Sequence, residues 1–292
     1  MTQSAVLNTY RFLRGGMPVM IVLLGAAVLI ERLHATCWQT SISAYYFTSA
    51  HAIFIAALCA IGAMLIVYKG SSDTEDVLLN LAGVLAFVVA MVPTSRPVLF
   101  SGCADLNIGI QSAIANVWAV VIALVVSRAA SWWMYRRTGT APRRSALGTA
   151  AVWGQRLLLA VGVVTLVLAP DWFRTNAHGV AAVAMFASVI LTVVITAFVA
   201  GNQDADKCPH RRRYQLIYQW ISAVMVLTLA AAVCLHQILD RFNHAVIVVE
   251  AALIIEFAAY WVVQTIELWG TPTRGSLMAE RDTSDSRILR AL

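Results

Sequence analysis

Residues 40–70 read TSISAYYFTSAHAIFIAALCAIGAMLIVYKG. The stretch opens on a polar, aromatic run (Ser41, Ser43, Tyr45, Tyr46, Thr48, Ser49, His51). It then becomes an apolar segment of about 17 residues that stops at Lys69-Gly70. A segment that is wet at one end and lipid-compatible along the rest reads as a transmembrane helix with a polar mouth.

The same pattern fills the chain. Of 292 residues, 60% are hydrophobic and 12% charged, where soluble domains carry about 25% charged residues. Mean hydropathy is +0.75, and the apolar excess needs a partner other than water. Spans are predicted near 17–33, 50–68, 77–92, 110–133, 151–168, 179–200, 214–235 and 245–266. The expected architecture is an all-α integral membrane protein, one bundle of about eight transmembrane helices over residues 1–268. Residues 269–292 (WGTPTRGSLMAERDTSDSRILRAL) are polar and carry Gly and Pro, which predicts a disordered tail or a short surface helix. The N-terminal run lacks a small-x-small cleavage site and ends on Glu31, Arg32 and His34, as a retained first helix does.

Charge sets the orientation. The net charge is +6, and of 21 Lys and Arg only Arg32, Arg96, Arg174 and Arg241 fall on one side of the predicted spans. This positive-inside pattern predicts a multi-pass protein of the inner (plasma) membrane with both termini cytoplasmic. It leaves no reason to invoke nucleic acid. Outer loops are expected at 34–49, 93–109, 170–178 and 236–244. Trp132, Trp133, Trp153, Trp172, Trp220 and Trp269 lie near span ends, as an interfacial belt requires. Small residues, among them Gly83, Ala86 and Gly162, offer places of close helix approach. The basic loop 135–148 divides the spans into two sets of four, and Thr48-Ser49-Ala50-His51 matches Thr175-Asn176-Ala177-His178. That match raises a weak 4+4 parallel repeat with two equivalent histidines entering from the outer face.

Candidate chemistry gathers at the outer ends. His34, His51, His178, His236 and His244 lie there, and only His210 lies inside. Imidazole binds zinc and haem and also relays protons, so His51, His178 and His244 are candidate metal ligands; wet helix ends alone would also account for them. Spacing places Ser43, Phe47 and His51 one helical turn apart if the second helix extends that far back. In the last span, Glu250 and Glu256 are carboxylates at membrane depth. Such a group costs roughly 3 kcal/mol on insertion scales unless paired, so Glu256 is expected to face the bundle interior. Glu256, Tyr260, Gln264 and Glu267 occur at helical spacing as one polar stripe. Tyr45, Tyr46 and Asn116 are expected to shape a pocket. Cys37 and Cys103, both in outer loops, form a candidate disulfide. No phosphate-binding glycine loop, His-Glu-x-x-His, Gly-x-Ser-x-Gly or Cys-x-x-Cys is present.

The runs Ser41–Tyr46, Tyr68–Ser71, Asp76–Gly83 and Gln264–Trp269 resemble a family of uncharacterised actinobacterial multi-spanning membrane proteins. The resemblance covers roughly a third of the chain and implies a membrane location and an actinobacterial source, without a mechanism. Membrane-embedded zinc hydrolases of the alkaline ceramidase and adiponectin-receptor type use a Ser, an Asp and three His, two of them as His-x-x-x-His. Ser43 and His51 match part of that set, but His236 and His244 are too far apart to form the pair. Two readings therefore stand. One is a binding, transport or accessory component handling a lipid, small solute or proton through a polar, His-lined mouth and buried carboxylates. The other is a metal-dependent hydrolase or haem-binding redox protein using the outer histidines. Substrate, cofactor, enzymatic status and oligomeric state stay open on sequence.

Overall fold

The computed structural model describes residues 3–35, 38–94, 111–138, 144–238 and 244–278. Among them run α1 (Gln3–Ala35), α2 (His51–Val67), α3 (Asp73–Met91), α4 (Gln111–Thr138), α5 (Ala146–Leu168), α6 (Pro170–Gly201), α7 (Arg211–Ile238) and α8 (Ala245–Glu267). Short 3-10 helices occupy Ser43–Phe47 and Arg274–Leu277. All but α2 are long and apolar enough to cross a membrane, and α2 is an apolar helix of 17 residues. The chain is thus the all-helical, multi-pass bundle that its hydropathy predicts.

Local sequence sets several helix starts. Ser72 caps α3 by accepting the Glu75 N–H at 3.2 Å, while the Glu75 carboxylate accepts the Ser71 N–H at 2.6 Å. This is a capping box displaced by one residue. Ser145 caps α5 by accepting the Gly148 N–H at 2.9 Å. At the other end of α5, the expected outer loop over 170–178 is helix instead: Ala169 alone separates α5 from α6. Pro170 takes the first helical position, where its missing N–H costs nothing, and the helix runs on from there.

Six helices close a ring. α1 packs on α2, α2 on α3, α3 on α6, α6 on α7, α7 on α8, and α8 returns to α1. The other two, α4 and α5, flank it, α4 against α3 and α5 against α3 and α6. Burial matches this order: 72% of the apolar window of α3 is buried, against 6% in α4 and 11% in α5. Where α2 crosses α3, a Cβ on Gly83 would lie 2.5 Å from the Gly62 carbonyl, so only two glycines allow this approach. Gly162 has open space around it and plays no such part.

The ring has two distinct ends. At one, Arg11 Nε donates to the Trp269 carbonyl (2.8 Å), Arg14 Nη1 to the Leu268 carbonyl (2.8 Å), and Arg274 N–H to Ser71 Oγ (3.1 Å). Asp73 receives the Ser145 N–H there at 2.6 Å. Guanidinium groups stack on Trp132, Trp133, Trp153 and Trp269, all more than half exposed, as residues of an interfacial belt are. The opposite end holds His34, His51, His178 and His244. The equivalence of His51 and His178 expected from the repeat is not realised in the helices: His51 opens α2, whereas His178 lies about two turns inside α6.

The tail also departs from expectation. Residues 268–278 fold back beneath the ring: Asp204 N–H donates to the Leu277 carbonyl (2.9 Å), Lys207 Nζ to the Met278 carbonyl (3.1 Å), and Arg274 is fully buried. The first part of the expected disordered tail is therefore docked structure, held by these bonds; residues 279–292 lie outside the described residues.

Candidate functional site

Within the ring lies a cavity of about 100 Å³. α1, α2, α3, α6 and α8 supply its walls, through residues such as Leu24, Ile61, Val89, Met185 and Phe257. Among the described residues its polar side chains are Ser43 and Glu250 alone. Glu250 sits roughly 8 Å into α8 at 1.5 Å per residue. Its Oε2 accepts the Ile42 N–H at 2.7 Å, which fixes the carboxylate against the start of the first 3-10 helix. Among the described residues no Lys, Arg or His side chain pairs with it.

The histidine end of the ring is closed by a plug and not by an open mouth. In Ser43–Phe47 the residues Tyr45, Tyr46 and Phe47 are all buried, packed with Leu24, Ala27 and Val28 of α1 and Phe54 of α2. Burial raises the phenol pKa of both tyrosines, so they stay neutral. Thr48 is extended (φ −119°, ψ 179°) and separates the 3-10 helix from α2, so Ser43, Phe47 and His51 do not share one continuous helix. The short polar run breaks the helix because Ser and Thr side chains compete for backbone groups: Thr48 Oγ1 donates to the Tyr45 carbonyl at 2.9 Å.

The candidate histidines serve separate purposes. His51 Nδ1–H donates to the Tyr46 carbonyl at 2.6 Å, and its ring stands edge-on to Tyr46. His178, buried, donates Nδ1–H to the Val92 carbonyl at 2.6 Å and ties α6 to the end of α3. A carbonyl can only accept, so in both rings Nδ1 carries the proton. His244 is exposed at the start of α8. No three His, Cys, Asp or Glu side chains gather as a metal group among the described residues, so His51, His178 and His244 do not form the ligand set considered from sequence. Asn116 is exposed on α4, away from the cavity, because α4 packs outside the ring. Cys37 and Cys103 lie outside the described residues.

The inward stripe on α8 exists, but its members face different neighbours. Glu256 turns to α7, where Thr228 Oγ1 donates to Oε1 at 2.8 Å and Oε2 is buried without a partner. Tyr260 meets Thr196 of α6 (3.3 Å), which in turn donates to Glu75 Oε1 at 2.9 Å. Glu267 is the centre of a buried cluster. It accepts from Tyr218 OH (2.5 Å), Gln203 Nε2 (2.6 Å), and Arg274 through Nη2 (2.5 Å) and Nε (3.0 Å). Burial alone would lower the Arg274 pKa; Glu267 and Tyr218 outweigh it and hold the guanidinium well above its ordinary value. Sequence reasoning missed Glu75, Thr196, Tyr218 and Arg274. A Ser-x-x-Glu pattern at Ser72–Glu75 was the one readable signal.

No family model matches the chain, and no curated protein or solved structure matches it either. Function has to be read from geometry. The ring joins an apolar chamber, one oriented carboxylate, a packed plug at one end and a buried ionic seal at the other. Such a chamber can hold a small amphipathic molecule and keep water from it.

Proposed function

We propose that this chain is a non-enzymatic membrane component that binds or transports a small amphipathic solute or lipid inside its six-helix ring. The observation that carries the reading is Glu250: a carboxylate lining an otherwise apolar cavity, oriented by the Ile42 amide. A group of this kind at membrane depth is expensive to keep and marks a functional pathway. The basic end of the ring is the cytoplasmic end by the positive-inside rule, which puts Glu250 toward the exterior. The family resemblance, with its actinobacterial source, agrees with a membrane role and adds no substrate.

Native mass spectrometry of the purified chain tests the reading. A small amphipathic molecule retained from the host membrane, and lost when Ala182→Trp fills the cavity, is the expected result. Identical loading of the folded variant and the parent chain overturns it.

A further inference from the structure

The cavity's lining selects a class of ligand, an inference that rests on the binding reading. We propose that it takes a small organic cation, an alkylammonium, with its charge against Glu250 and its alkyl groups among Phe54, Phe186 and Phe257.

Charge favours a cation. Among the described residues Glu250 is the cavity's single carboxylate, and no cationic side chain balances it. An unpaired charge inside an apolar enclosure is costly, and a cation arriving with the ligand removes that cost. An anionic ligand would add repulsion at the same point.

The walls favour an organic one. Three phenylalanine rings line the chamber, and aromatic faces attract ammonium groups. A bare metal ion is a poor match, since hard cations take about six or more oxygen ligands, whereas among the described residues Ser43 and Glu250 are the only polar side chains in the lining. An ammonium carrying small alkyl groups needs one carboxylate and an apolar surround, and the cavity offers those. Its volume of about 100 Å³ is below the roughly 150 Å³ of an apolar cavity that binds benzene, which limits the ligand to a small alkylammonium.

Equilibrium dialysis of the full chain in detergent micelles, against protein-free micelles, separates the possibilities. The probes are radiolabelled tetramethylammonium and its neutral carbon isostere, neopentane, in sealed cells. In the parent chain the cation is expected to bind about tenfold more tightly than the isostere, the effect of roughly 1.4 kcal/mol. Glu250→Gln, whose amide oxygen still accepts the Ile42 N–H, is expected to abolish that preference and leave isostere binding intact. Equal binding of both probes to the parent chain overturns the cation assignment and leaves the amphipath reading standing. Binding of neither overturns both. The comparison within the parent chain needs no variant to fold.

Discussion

Arg274 Nη2 lies 2.5 Å from Glu267 Oε2, and neither side chain has any exposed surface. This pair fastens the returning tail to the end of α8 and, through Tyr218 and Gln203, to α7 and to the turn after α6. Removing one partner strands a buried charge. Arg274→Ala is expected to cost about 3–5 kcal/mol, read by denaturant unfolding in micelles. The double variant Arg274→Met with Glu267→Leu is expected to recover much of that loss. A loss below about 1 kcal/mol for the single variant would mean that the pair does not hold the tail.

The same pair makes tail docking insensitive to alkali. The folded-state pKa of Arg274 is raised, so its contribution is complete below the unfolded-state value and is lost only as pH climbs through the higher folded one. Limited proteolysis with trypsin is expected to spare the Arg274–Gly275 bond equally at about pH 7.5 and pH 9.5, both below the ordinary arginine range. Cleavage appearing at the higher pH would contradict the assignment.

The α2–α3 crossing is expected to be intolerant of a single methyl group. Gly83→Ala drives a Cβ into the Gly62 carbonyl and the Ile66 amide, backbone atoms that cannot turn aside. The expected cost is about 1–3 kcal/mol. Gly162→Ala, in open space on α5, is expected to be neutral or slightly stabilising in the same unfolding assay.

His178 is expected to matter for stability. Replacement by Ala leaves the Val92 carbonyl unpaired in a buried site, at a cost of about 1–3 kcal/mol. His34→Ala, at an exposed position, is expected to shift unfolding by less than about 0.5 kcal/mol.

Orientation is checked by thiol labelling in a background without native cysteines. Ala205 and His34 are both exposed, at opposite ends of the ring. Ala205→Cys is expected to react with a membrane-impermeant maleimide only after cells are opened, and His34→Cys before. The reverse pattern would invert the topology.

The helices themselves were legible because a bilayer demands long apolar runs and punishes charge, so composition alone places spans. Glu250 and Glu256 were legible for the same reason. The tyrosine plug was not: Ser43–Phe47 looks like a wet mouth in sequence, and only packing against α1 shows that its aromatic residues are core. Arg274 was illegible because a basic residue in a polar tail reads as a topology anchor. Its partner is seven positions back, across a chain reversal that no periodicity announces. Asn116 misled because sequence cannot say that α4 stands outside the ring.

The most direct measurement is ligand protection of a thiol placed in the chamber. Met185→Cys, lining the cavity beside Phe186, is expected to react with N-ethylmaleimide in the free protein and to be shielded by tetramethylammonium. Ala205→Cys, exposed in the turn after α6, is expected to react equally with and without the cation. Shielding at neither position, or the same shielding at both, would contradict a ligand-binding chamber inside the helix ring.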